Sequence, residues 1–84
     1  MNFTLFWTEQ ALDSIEHILA AAADPGRILA SIQELDQELT RDPQTKGESR
    51  PGGRRIVFAH PLAVLFEVHW RLNEVVVAEV WKFE

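Results

Sequence analysis

The spacing of apolar residues changes period once along this chain, and that change limits the fold more than any other feature. Between Ala11 and Leu39, apolar side chains recur every three or four residues; beyond Arg54 they alternate. The first rhythm is that of helices with one buried stripe, and the second is that of strands. Two Asp-Pro steps, Asp24-Pro25 and Asp42-Pro43, punctuate the helical part.

A short alternating run, Phe3, Leu5 and Trp7 against Asn2, Thr4 and Phe6, predicts an opening strand. Thr8 follows as a helix N-cap, with Glu9 at the positive end of the helix dipole. Ala11, Leu12, Ile15, Ile18, Leu19 and Ala22 then form one stripe, opposite Gln10, Asp13, Glu16 and His17. This is an amphipathic helix of about four turns. Asp24 caps a second helix and Pro25 suits its first position. Ile28, Leu29, Ile32, Leu35 and Leu39 carry the stripe on until Asp42-Pro43 stops it, because the residue before proline avoids helical geometry. The short link predicts an antiparallel helical hairpin.

Residues 43–53 hold two Pro and three Gly and read as a loop. Three strands follow, roughly Arg54–Ala59, Leu62–Trp70 and Val75–Phe83, with turns at His60-Pro61 and Arg71–Glu74. The expected architecture is α+β, with the order β-α-α-β-β-β: an N-terminal strand, a helical hairpin and a three-stranded antiparallel meander. At 84 residues the chain, 1–84, is one domain with a modest core. Regular hairpins would put Val57, Leu62, Val64, Phe66, Val68, Trp70, Val75, Val77, Trp81 and Phe83 on the face that meets the helices. The other face would carry Arg54, Ile56, Phe58, Ala63, Leu65, Glu67, His69, Val76, Ala78, Val80 and Lys82. No second helical layer is available to cover it, so it is left for solvent or a partner.

Charge narrows the function. The net charge of −5 argues against a surface that grips nucleic acid all over. Basic residues are nevertheless concentrated in one stretch, where Lys46, Arg50, Arg54 and Arg55 stand against Glu48 alone. That stretch is the candidate nucleic-acid contact. The absence of cysteine excludes disulfides and thiolate chemistry and fits a reducing cytoplasm. The apolar runs are too short to span a bilayer, and the start has no basic segment of a signal peptide. His17, His60 and His69 lack metal-ligand spacing, and Gly52-Gly53 lacks the strand–turn–helix setting of a phosphate loop, so neither metal nor cofactor is expected.

Several segments together resemble one family. Trp7-Thr8-Glu9-Gln10-Ala11-Leu12 is similar to the opening of RelE/ParE superfamily toxins, the poison halves of bacterial toxin–antitoxin pairs. Asp42-Pro43, Gly47-Glu48-Ser49-Arg50 and Gly53-Arg54-Arg55 are similar to the loop and next strand of one branch. Pro61–Val68 and Val75–Trp81 resemble the last two strands, so the likeness spans essentially the whole chain. It implies a cytoplasmic toxin neutralised by a cognate antitoxin. The RelE-like branch cuts messenger RNA on the ribosome; the ParE-like branch acts on DNA gyrase; a degenerate member would only bind its antitoxin. Carried over to this chain, the nuclease set is Arg54, Arg55 and Lys82 for phosphate, with His69 and Glu67 placed for proton transfer. Two departures stand out: there is no tyrosine, and a third-strand position often held by arginine is Ala63. The apolar members of the uncovered face, Ile56, Phe58, Leu65, Val76 and Val80, are the expected antitoxin contacts.

Overall fold

The computed structural model describes residues 2–83. Strand β1 (Thr4–Trp7) leads into helices α1 (Glu9–Ala21) and α2 (Pro25–Arg41). A 3₁₀ turn at Pro43–Thr45 precedes strands β2 (Glu48–Arg50), β3 (Arg54–Ala59), β4 (Leu62–His69) and β5 (Glu74–Lys82). The five strands form one mixed sheet in the order β1-β5-β4-β3-β2, with β1 parallel to β5 and every other pair antiparallel. The α+β architecture is therefore the expected one, enlarged by a strand. Sequence reading makes 43–53 a loop, whereas Glu48–Arg50 pairs with Arg54–Ile56 as a short edge strand.

Both helices begin where the side chains dictate. Thr8 Oγ1 accepts the Ala11 N–H at 3.1 Å, and Asp24 Oδ1 accepts that of Arg27 at 3.3 Å. Both helices pack on one sheet face, α1 over β5 and α2 over β1 and β3. The core between the layers is built on Leu35, Leu39, Leu62, Val64, Phe66, Val75 and Val77, all fully buried. Burying each such side chain is worth about 1.5–3 kcal/mol relative to leaving it in water. The helical stripes are wider than the core, so Leu12 and Leu29 at their margins are half exposed.

The departure with most consequence lies in β5. Leu65 pairs with Glu79 but Phe66 pairs with Val77, leaving Ala78 as the extra residue of a β-bulge. Before the bulge Val75 and Val77 face the helices; after it Val80 and Lys82 do so, opposite Leu62 and Val64. Regular alternation predicts the inward side of Val75 and Val77 but, beyond the bulge, puts Trp81 and Phe83 inward in place of Val80 and Lys82. Val80 is core, at 4% exposure, and Trp81 points out of the other face, at 39%. The bulge is held by Thr8, whose Oγ1 lies 3.0 Å from the Ala78 carbonyl oxygen and whose N–H donates to Val77 at 3.1 Å.

Trp70 also departs from expectation. It belongs to a 3₁₀ turn, Trp70–Leu72, rather than to β4, and is 55% exposed with its ring edge-on to Phe3. Asn73 closes that turn in the left-handed region (φ 52°), which asparagine tolerates.

Gly47 is the one glycine that both φ and packing demand. Its φ is +69°, and a Cβ there would collide with the Ile56 carbonyl oxygen. Gly52 also has positive φ (+83°), but nothing occupies the space its Cβ would take. Gly47→Ala should lower the unfolding free energy by about 2–3 kcal/mol, through strain and displacement of β2, and Gly52→Ala by about 1 kcal/mol. Urea unfolding of the two variants side by side checks the difference.

Candidate functional site

No described helix covers the second face of the sheet, and its side chains form rows that follow the strand register. One row runs Phe58–Ala63–Trp81, the next Glu48–Ile56–Leu65–Glu79, and the next Arg50–Arg54–Glu67–Val76–Phe6. Ala63 has no exposed surface although no helix lies over it. It sits between Phe58 and Trp81, and these two large rings themselves remain partly in water. Phe83 extends the row, edge-on to Phe58 at 5.2 Å between ring centres. The face is therefore apolar at the β3–β4 turn and becomes charged towards the start of β3.

At that charged end three of the expected residues meet. Arg54 Nε donates to Glu67 Oε2 at 3.1 Å, and His69 Nε2 lies 3.4 Å from Glu67 Oε1. Glu67 thus sits between a guanidinium and an imidazole. The Arg54 terminal nitrogens make no hydrogen bond among the described residues and remain available to an anion. A guanidinium that can hold an anion thus stands beside an imidazole that can carry a proton.

Of the remaining candidates, Arg50 lies beside Arg54 in its row and Arg55 shares a cleft with it, but each is engaged elsewhere, and Lys46 and Lys82 lie apart. Arg55 faces the helix side and ties down the preceding loop. Its Nε donates to Lys46 O at 2.8 Å, Nη1 to Ser49 Oγ at 2.9 Å, and Nη2 to Gly47 O at 3.1 Å. Arg50 is paired with Glu48 at 3.4 Å, and Lys46 with Glu38 at 3.9 Å. Lys82 is turned to the helix side by the bulge and lies opposite Leu62, five residues along β4 from Glu67. At the rise of a strand this is about 17 Å from the Arg54–Glu67–His69 group. Of the expected antitoxin contacts, Ile56, Phe58, Leu65 and Val76 lie on the helix-free face and Val80 does not.

Sequence reasoning missed two contributors, Trp81 and Trp70. Trp81 follows from the bulge, and the sequence held a sign of it: uninterrupted alternation from Val75 and Val77 would have put Glu79 in the core. Trp70 lines a shallow cleft of about 180 Å³ with Arg50, Arg54, Arg55, Ser49 and Gln44. Nothing in the local spacing distinguishes it from a core tryptophan at the end of a strand.

No protein-family model matches the sequence, and no curated protein matches it. Solved structures do. The fold is similar to a chain of the RelBE2 toxin–antitoxin complex of Mycobacterium tuberculosis, at a TM-score of 0.79 and 22% identity over 98% of this chain and 99% of that one. A chain of the ParDE toxin–antitoxin system of P. aeruginosa gives 0.68 and 22%, over 98% and 97%. The TrmO protein of Pseudomonas aeruginosa gives 0.62 and 25%, over 95% of this chain but only 35% of that one. The architecture is thus that of RelE/ParE-type toxins, and it also recurs as one part of a longer protein.

The different burdens of the two neighbouring arginines can be separated experimentally. Arg55→Ala should cost about 1–2 kcal/mol and speed amide exchange across residues 46–49, because three hydrogen bonds to that segment are lost. Arg54→Ala should change stability by about 1 kcal/mol or less, as removal of an exposed ion pair does.

Proposed function

We propose that the chain is the toxin component of a bacterial toxin–antitoxin pair, acts in the cytoplasm, and uses the helix-free sheet face as its working surface. The observation that carries this reading is the face itself. Phe6, Ile56, Phe58, Leu65, Val76 and Trp81 lie on it, and Phe6, Phe58 and Trp81 are exposed. Apolar side chains gathered on one face in this way suit burial against a protein partner. Similarity of the whole chain to chains of solved toxin–antitoxin complexes supports the identity of that partner as a cognate antitoxin. An apolar helix or extended segment laid along the face would cover Phe58 and Trp81, continue over Ile56 and Leu65, and hide the Arg54–Glu67–His69 group at the other end.

Which target the free toxin engages is a second step. The Arg54–Glu67–His69 group favours messenger RNA cleaved on the ribosome. In that reading His69 takes the proton of a 2′-hydroxyl, whose oxygen attacks the adjacent phosphorus as the P–O5′ bond breaks and the 5′-oxygen takes a proton from water; Arg54 neutralises the phosphate, and Glu67 orients both side chains. The apolar row Phe58–Ala63–Trp81 favours a protein target such as DNA gyrase, which needs no catalytic group.

Induced expression of the gene alone in bacteria, with growth and transcript integrity followed together, tests both steps. Growth arrest relieved by co-expressing the product of the adjacent gene is the expected result. Transcript cleavage lowered about 10²–10⁴-fold in His69→Ala would assign the ribonuclease. Intact transcripts with inhibited supercoiling would assign gyrase. Unimpaired growth at high expression would overturn the toxin reading.

A further inference from the structure

The end of the sheet far from Arg54 holds a second group of polar side chains that the helix-free face does not use. A cleft of about 420 Å³ opens there, between the start of α2 and the β3–β4 turn. Its polar lining is Asp24, Arg27, His60 and Lys82; its apolar lining is mainly Ile28, Pro61 and Phe83. Lys82 reaches this cleft because the bulge at Ala78 turns it to the helix side.

Arg27 and His60 are held in place rather than loosely gathered. Arg27 Nη2 lies 3.1 Å from His60 Nδ1, so the guanidinium donates to an imidazole instead of a carboxylate. With Nδ1 accepting, the ring proton belongs on Nε2, which is left as a donor. Ser31, buried, brings its hydroxyl within reach of the carbonyl oxygens of both Arg27 (3.1 Å) and His60 (2.9 Å), and so joins α2 to the turn. The His60 ring is in turn edge-on to Phe83 at 5.4 Å. Asp24 also lines the cleft, but its carboxylate serves as the α2 cap. Among the described residues neither Arg27 nor Lys82 has an ion pair.

We propose that this cleft binds a carboxylate carrying a short apolar tail, the carboxylate between Arg27 and Lys82 and the tail against Ile28, Pro61 and Phe83. Two cations set against one capping carboxylate suit a single negative charge better than a phosphate dianion. The apolar lining requires more than a bare ion. Such a group has two sources, a free carboxylic acid or a glutamate side chain in a protein segment. The cleft opens beside the helix-free face through Phe83, which touches both His60 and Phe58, so a segment lying on that face can reach it. The proposal rests on the cleft itself and stands apart from the toxin reading.

The test is a titration of the full chain followed by backbone amide signals, with four probes: 4-phenylbutyrate, its uncharged analogue 4-phenylbutanol, and the blocked peptides acetyl-Leu-Glu-Leu-amide and acetyl-Leu-Gln-Leu-amide. An acid probe should shift the signals of Arg27, His60, Lys82 and Phe83. The uncharged counterpart should bind about tenfold more weakly, as should the acid to the double variant Arg27→Gln, Lys82→Gln. Unchanged core signals from Phe66 and Val77 show that this variant is folded, and Arg71→Gln, at an exposed cation in the turn after β4, should leave affinity as it was. Response to both acids supports the shared chemistry. Response to the peptide alone assigns a protein segment, and response to 4-phenylbutyrate alone assigns a free acid. Absence of shifts at those four residues with either acid overturns the proposal, as does equal affinity in the folded double variant.

Discussion

Thr8 holds together the parts on which the rest of this structure depends. Its hydroxyl oxygen accepts the N–H of Ala11 and so starts α1; the same hydroxyl lies within reach of Ala78 O, and its backbone N–H donates to Val77 O. One residue therefore ends β1, caps a helix and pins the extra residue of β5. A bulge shifts the strand by one position, and in a period-2 element one position exchanges the faces. Val80 is consequently core, Trp81 joins Phe58 around Ala63, and Lys82 turns toward Arg27. The apolar row around Ala63 and the cleft lined by Lys82 are composed as they are because of this one irregularity, whereas the Arg54–Glu67–His69 group is set by the pairing of β3 with β4.

The division of labour between the two sheet faces follows from size. Two helices supply enough apolar stripe to cover one face of a five-stranded sheet, and α1 and α2 do so over Val64, Phe66, Val75 and Val77. The second face is left with rings that shelter one another, as Phe58 and Trp81 shelter Ala63, while still meeting water. Such a face gains most from a partner that brings its own apolar surface. The contacts of Glu67 at its other end keep Arg54 and His69 positioned without burying them.

Much of this was legible in the chain. Caps at Thr8 and Asp24, stops at the Asp-Pro steps, and the change of apolar period gave both helices, β3, β4 and the α+β class. The inner face of β3 and β4 followed from alternation, and Arg54, Glu67 and His69 were read correctly as neighbours on the other. What was not legible depends on contacts distant in sequence. The bulge needs Thr8 to meet Ala78, and the edge strand β2 needs Arg55 to bind the backbone of Lys46 and Gly47. Trp70 looked like core because its rhythm fits β4, yet the chain turns one residue earlier.

The central claim is that the helix-free face, composed by the bulge, is the surface a partner covers. The chain has no cysteine, so single introduced thiols report accessibility without interference. The most direct measurement is the maleimide labelling rate of Phe58→Cys, Val76→Cys and Gln33→Cys, the last on the exposed side of α2, for the chain alone and co-purified with the adjacent gene's product. The account predicts ready labelling at all three positions in the free chain. It predicts slowing by about tenfold or more at 58 and 76 in the pair, with no change at 33, as burial in an interface core requires. Unchanged rates at 58 and 76, with protection confined to 33, would place the partner on the helices and contradict the account.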